Sequence, residues 1–221
     1  MKKLLLSALL AGSLFGWGGG HYYHNLDDFH GHGGFSRILN QYPIEPLSRA
    51  ERTALTHMAE EEKLARDVYI TLGNKWKLRV FLNIQKAEQQ HMNMVDMLLR
   101  RYGMRINNLP VGEFHDKKVQ RLYDNLVAMG SKSRIDALKV GATIEDLDIY
   151  DLERYMAEAD NKDILFVFKN LTKGSRNHMR AFMRILKRYG GNYDAQYISQ
   201  SELDSIISSN IERGMIRWIN L

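Results

Sequence analysis

Glu88 and His91 stand three residues apart in the stretch AEQQHM. On a helix that spacing turns both side chains to one face. The face is otherwise apolar, because Phe81, Ile84, Glu88, His91, Val95, Leu98 and Tyr102 recur at steps of three and four. A carboxylate and an imidazole placed on such a seam either ligate a metal ion together or pair with each other to fix helix register.

Three further stripes raise the same question. One runs Leu55, Met58, Glu62, Ala65, Tyr69, Leu72; a second runs Leu138, Ala142, Glu145, Asp148, Leu152, Tyr155; a third runs Phe168, Leu171, Ser175, His178, Phe182, Ile185, Tyr189. Antiparallel helices bring their midpoints to one height, so Glu62, Glu88, His91, Glu145, Asp148 and His178 are expected in a single core layer. Burying an ion costs several kcal/mol even after relaxation, and the stability of a whole domain is only about 5–15 kcal/mol. Four unpaired carboxylates would therefore unfold the bundle. Two imidazolium groups neutralise half of them, and the seam offers no Lys or Arg. A pair of divalent or trivalent cations held by carboxylates and neutral imidazoles balances the charge.

Other readings compete at particular residues. Glu60, Glu61 and Glu62 form a run, and charge runs usually mark a solvated face; Glu62 alone shares the seam, with Glu61 its rival if the helix is rotated. Tyr69 reads as a core aromatic whose hydroxyl bonds a ligand carboxylate, a redox role being the sharper alternative. Met92, Met94, Met97, Met179 and Met183 lie near the histidines and suit copper chemically, but methionines at helical spacing more often fill cores. His57 and His115 have no matching partner in the pattern.

The elements that must position these residues are helical. Helices are expected at about 48–73, 78–102, 116–129, 133–159 and 163–189, with a short one near 200–210. Ser48 is a plausible N-cap, and Gly103 and Gly190 fall where C-terminal stops belong. EQQHMNMVDMLLRRYG (88–103) and SRNHMRAFMRILKRYG (175–190) align without a gap, His91 on His178 and Arg-Tyr-Gly on Arg-Tyr-Gly. A repeated helical pair that cannot bury its own apolar face points to an all-α four-helix bundle made of two such pairs.

Glu62 with Tyr69 seven residues on, Glu88-x-x-His91, Glu145-x-x-Asp148 and His178 together resemble the ferritin-like, rubrerythrin-type di-metal carboxylate bundles. More closely, EEEKLARDVY, NIQKAEQQHM, GATIEDLDIYDLE and GSRNHMRAF are similar to an uncharacterised bacterial and archaeal ferritin-like domain family, over about residues 48–213. The resemblance implies Glu62 as the first-helix ligand, Glu88 and His91 as the second-helix motif, Glu145 as the third and His178 as the final imidazole. It implies two irons, with one ion or another transition metal as the alternative. The chain departs from the pattern where a second Glu-x-x-His would stand, since Ser175-Arg-Asn-His178 takes its place and serine is a poor iron ligand. Either Asp148 supplies that carboxylate, which is the preferred reading, or the second metal is held loosely, or the site takes one metal.

The function implied is a di-iron oxidoreductase acting on dioxygen or peroxide, with Glu88 bridging. Rubrerythrins often carry an iron–sulfur donor on cysteines; this chain has no cysteine, so a separate electron donor is needed or iron is itself the substrate. A non-catalytic protein that binds or delivers metal is the alternative, and a structural or interaction module with a degenerate site is a third.

Composition sets the surroundings. The chain of 221 residues, 44% hydrophobic and 26% charged, is long enough for one domain with a full core. Its opening, MKKLLLSALLAGSLFGWGGG, has a basic start, a short apolar run and small residues, as in a secretory signal peptide. Residues 1–17 are so assigned, with the boundary between 13 and 20, and an uncleaved anchor is the weaker reading. Residues 18–46 read as a flexible Gly/His-rich leader holding His21, His24, His30 and His32, either a solvated linker or a low-affinity metal-gathering tract. Residues 47–213 form the bundle with its C-terminal helix, and 214–221 a tail. The protein is expected to be periplasmic or secreted, free of the membrane after cleavage, with a homodimer allowed. Absence of cysteine excludes disulfides and thiolate sites. A net charge of +5, to which Lys2 and Lys3 contribute two, gives no case for nucleic acid.

Overall fold

The computed structural model describes residues 32–107 and 109–216. Seven helices make up its regular structure: α1 (His32–Leu39), α2 (Arg49–Trp76), α3 (Arg79–Arg101), α4 (Lys117–Gly130), α5 (Arg134–Glu158), α6 (Lys162–Arg188) and α7 (Gln200–Ser208). Among the described residues there is no strand, and no helix is long and apolar enough to cross a membrane. The signal-like segment, His21, His24 and His30 lie outside the described residues, as does most of the tail.

The helix boundaries follow from local chemistry. Ser48 caps α2 in a reciprocal box, accepting from the Glu51 amide at 3.1 Å while its own amide donates to Glu51 Oε2 at 2.9 Å. The other Glu51 oxygen accepts the Asn161 amide at 3.0 Å and so ties the start of α2 to the α5–α6 turn. The repeated Arg-Tyr-Gly triplets end α3 and α6 in the same way. Gly103 (φ 67°) and Gly190 (φ 72°) adopt the left-handed conformation, and the amides of Met104 and Gly191 reach back to the carbonyls of Leu99 and Leu186, each at 2.9 Å. This is a Schellman stop, which glycine adopts without the Cβ penalty.

Four long helices pack as a bundle. α2 lies along α3, α5 lies along α6, and the two hairpins join through α2 against α5 and α3 against α6. α4 packs on α2 and α5 in the connection between hairpins, and α7 packs on α6. The core falls into two apolar clusters. One contains Val68, Leu72, Phe81, Leu138 and Phe182, and the other contains Leu55, Met58, Val95, Leu152 and Phe168. Along every long helix the boundary between clusters falls near Glu62, Glu88–His91, Glu145–Asp148 or Ser175–His178, so the polar residues form the layer that divides the core.

Two expectations need correction. Residues 18–46 are expected to be a flexible leader, yet within them His32–Leu39 form α1, with Phe35 and Leu39 buried and the Phe35 ring stacked on Phe166 at 5.0 Å. Eight residues beginning in His-Gly-Gly give too short a pattern to read as periodic, and docking rather than propensity orders them. At the end of α6 the seam shifts: Leu186 is buried, Ile185 only partly so, and Tyr189 is 45% exposed.

Candidate metal centre

α2 and α3 bring Glu62, Glu88 and His91 into the layer, and α5 and α6 bring Glu145, Asp148, Ser175 and His178; all are buried. All six residues singled out by spacing lie together. Glu88 stands between the two imidazoles. Its Oε2 is 2.9 Å from His91 Nδ1, and its Oε1 is 2.8 Å from His178 Nδ1. Each imidazole has a second carboxylate outside this bridge: Glu62 Oε2 lies 3.2 Å from His91 Nδ1, and Glu145 Oε2 lies 3.5 Å from His178 Nδ1. The sequence repeat thus becomes a repeat of imidazole–carboxylate pairs about a shared Glu88. One donor atom from each of Glu88, His91 and His178 fits within 4.8 Å of the others.

The surrounding groups hold this arrangement. The two rings stack at 5.3 Å with an interplanar angle of 27°. Gly174 makes room for the first of them, since a Cβ there would sit 2.3 Å from His91 Nε2. Tyr69 donates its hydroxyl proton to Glu145 Oε1 at 2.6 Å, which fixes that carboxylate from the side away from His178 Nδ1. Ser175 does not face the layer unengaged. Its hydroxyl bonds Asp148 Oδ2 and lies 3.1 Å from the Leu171 carbonyl.

Electrostatics show what the layer lacks. Burial raises the Glu62 carboxyl to about 8, with the Glu88 charge adding to it and His91 opposing. Burial likewise raises Glu145, against His178 and with Glu88, and raises Asp148 well above its usual range, reinforced by Glu62, Glu61 and Glu145. Burial would also raise Glu88, but the charges of His178 and His91 prevail and hold it well below the usual range. His178 resists the desolvation that would lower it and rises to about 10 beside Glu88 and Glu145; His91 rises for the same reason beside Glu62 and Glu88. Without another cation, this layer manages its negative charge by holding protons. Even so, Glu62 Oε1, Glu88 Oε1 and His178 Nδ1 have no hydrogen-bond partner among the described residues. The close approach of His178 to Glu88 lacks hydrogen-bond alignment. Buried polar atoms left in that state are the exception in folded proteins, and here they are oxygen and imidazole nitrogen donors converging on one space. That is the donor set and the deficit a metal ion fills.

Sequence spacing did not find a second group. His57, unassigned by the repeat, lies with Glu61 and Asp151 on the outer side of α2 and α5. The signal was present as a His-x-x-x-Glu step on α2 and an Asp one turn beyond Asp148, but Glu61 read as the solvated member of a charge run. Four of the five methionines pack with the apolar clusters: Met179 joins one and Met183 flanks it, and Met94 and Met97 flank the other.

Comparison with known proteins gives the same architecture without an activity. The chain is 55% identical to "Uncharacterized protein MJ0754" of Methanocaldococcus jannaschii over 181 residues, covering 81% of this chain and 98% of that protein. It superposes on the crystal structure of hypothetical protein MJ0754 with a TM-score of 0.75 at 56% identity, covering 77% of this chain and 98% of that one. The family described as "Uncharacterized protein domain (DUF2202)" matches residues 51–210, from the capping box of α2 to just past α7, and the chain belongs to that family.

Proposed function

We propose that the polar layer is a metal centre of the di-iron carboxylate type in a ferritin-like bundle, and that the protein is an exported oxidoreductase acting on dioxygen or peroxide. One observation carries this reading: four carboxylates and two imidazoles meet in a buried layer, with no Lys or Arg side chain among the described residues bonding them and three of their oxygen and nitrogen atoms without a hydrogen bond. His91 with Glu62 would hold one ion, His178 with Glu145 the other, and Glu88 both. Asp148 is the further carboxylate, kept at the layer by Ser175. Iron bound there supplies redox electrons and a Lewis-acid surface for an oxygen ligand.

The chain's own residues do the rest. The two apolar clusters on either side exclude water from the layer. Tyr69 is a positioning residue that orients Glu145 through its hydroxyl. Loading displaces protons from Glu62, Glu145 and the imidazoles, so metal affinity rises with pH. No cysteine is available to carry electrons, so a separate donor supplies them.

Anaerobic loading of the metal-free protein with ferrous iron, counted per chain beside a Glu88→Ala/His91→Ala variant, tests the reading. About two more irons per chain in the parent than in the variant, followed by consumption of dioxygen or peroxide when the loaded parent is exposed, is the expected result. Iron bound in neither protein sinks it. Iron bound and retained without oxidant consumption favours the second reading, a protein that holds or delivers metal, for which the Ser175 bond to Asp148 is the supporting observation because it engages one carboxylate oxygen.

A further inference from the structure

Outside the central layer, a cavity of about 330 Å³ lies between α2, α4, α5 and the segment leading to α7. Tyr150, 43% exposed, stands on its wall and brings it to the surface. Three groups of metal-ligating type converge on its floor. A ring nitrogen of His57, a Glu61 oxygen and an Asp151 oxygen lie within 4.8 Å of one another. Glu61 is only 8% exposed. Its Oε2 is 3.4 Å from His57 Nδ1, yet neither atom completes a hydrogen bond with any group among the described residues. The His57 ring is held edge-on to Tyr155 at 5.6 Å, so the imidazole is fixed by packing while its Nδ1 goes without a hydrogen bond among the described residues.

The charge of the cavity favours a cation. Glu60, Glu61 and Asp151 line it against a single guanidinium, that of Arg154. Arg154 bonds Asp151 at 2.8 and 3.2 Å, both times through Oδ1, which leaves the other oxygen open to a ligand. An anion would meet three carboxylates there. An imidazole with two carboxylates, with water filling the remaining positions, suits a divalent first-row transition metal.

We propose that His57, Glu61 and Asp151 form a second metal site, separate from the central layer, which takes one divalent transition-metal ion from solvent through this cavity. The two sites share backbone. Glu61 and Glu62 are consecutive on α2, and Asp151 lies one turn from Asp148 on α5. An ion at His57 is therefore one helical step from the buried layer, and the outer site supplies the inner one. The supply role rests on the central layer being a metal centre, whereas binding at His57 does not.

Manganese(II) separates the two claims. The metal-free full chain is titrated with Mn²⁺ while the free ion is followed by its electron paramagnetic resonance signal, beside His57→Gln, His57→Ala/Asp151→Asn and Glu88→Ala/His91→Ala variants, each checked for helicity. Loss of one equivalent in the two His57 variants, with that equivalent kept in the Glu88/His91 variant, establishes the outer site. Binding equal to the parent in folded His57 variants overturns it, as does loss of all binding in the Glu88/His91 variant. If the His57 variants lose their equivalent while the Glu88/His91 variant binds like the parent, the outer site stands and the central reading falls. Slower ferrous loading of the layer in His57→Gln supports the supply role, and an unchanged loading rate removes it.

Discussion

Glu145 and Asp146 are neighbours on α5, each at most 2% exposed, and their surroundings could hardly differ more. Asp146 accepts the Tyr193 hydroxyl at 2.6 Å and the amides of Gln196, Tyr197 and Ile198 at 2.6, 3.2 and 2.9 Å, so it fastens the segment between α6 and α7 onto the bundle. Asp67 does the same on α2: Lys63 and Arg66 pair with it, and the Gly112 amide donates to it at 3.0 Å, holding the connection before α4. Glu145 has a tyrosine hydroxyl and a distant imidazole. A buried acid surrounded by amide and cationic donors is part of the scaffold, because its charge is solvated by the protein. A buried acid surrounded by other acids has its carboxyl pushed up by burial and by their charges, as Glu145 and Asp148 do. That contrast, rather than burial, marks the site.

The largest effect separates the two kinds of acid. Asp146→Ala removes the acceptor of one hydroxyl and three amides, the Tyr193 hydroxyl and the Ile198 amide in buried bonds, and is expected to cost about 3–5 kcal/mol in urea unfolding, with no recovery on adding ferrous or manganous ion. A full rescue by metal would place Asp146 with the site instead of the scaffold.

Gly174→Ala comes next. The added methyl meets His91 Nε2 at 2.3 Å, and overpacking of this kind costs about 1–3 kcal/mol, offset by about 1 kcal/mol of helix propensity. Calorimetry is expected to show a net loss accompanied by weaker metal binding, while an alanine at an exposed helical position would only stabilise.

The pH dependence of the metal-free protein sharpens the contrast further. A raised folded-state pKa means the fold binds its proton more tightly than the unfolded chain, so stability is lost as pH rises through the shifted range. Glu62, moved from 4.5 to about 8, and His178, moved from 6.5 to about 10, share that sign. Thermal stability is expected to fall between about pH 4.5 and pH 10 without metal and to fall less with metal bound, since loading displaces those protons. Glu88, held low, acts oppositely in acid: its contribution is present above the usual carboxylate range and is lost as pH drops toward its lowered value.

The smallest stability effect belongs to Glu62→Gln. Because the carboxyl of Glu62 holds its proton to about pH 8, a neutral amide is expected to change unfolding of the metal-free protein by less than about 1 kcal/mol at neutral pH while weakening metal binding strongly. A large loss of stability without metal would show that Glu62 serves the fold as Asp146 does.

Much of this was legible in the chain because helices impose one period. The seams of α2, α3 and α5 could be written from steps of three and four, and the polar midpoints could be placed at one height because short connections make neighbouring helices antiparallel. Asp67 and Asp146 were not legible, since their partners come from segments 45 and 50 residues away along the chain, such as Gly112 and Gln196. His57 escaped because its companions lie on two helices and off the main seam. α1 escaped because its order comes from the surface that receives Phe35.

The sequence by itself determined most of the residues that face inward and that α3 and α6 carry a repeated segment, for both are properties of local periodicity and of repetition. Only the tertiary structure decided that Glu88 stands between the two histidines, that Ser175 bonds Asp148 instead of leaving an open place, and that Glu61 and Glu62 serve opposite sides of one helix. Those outcomes depend on how helices rotate and pack against one another, where a shift of one residue, about 100° around the axis, moves a carboxylate from one side of the helix to the other.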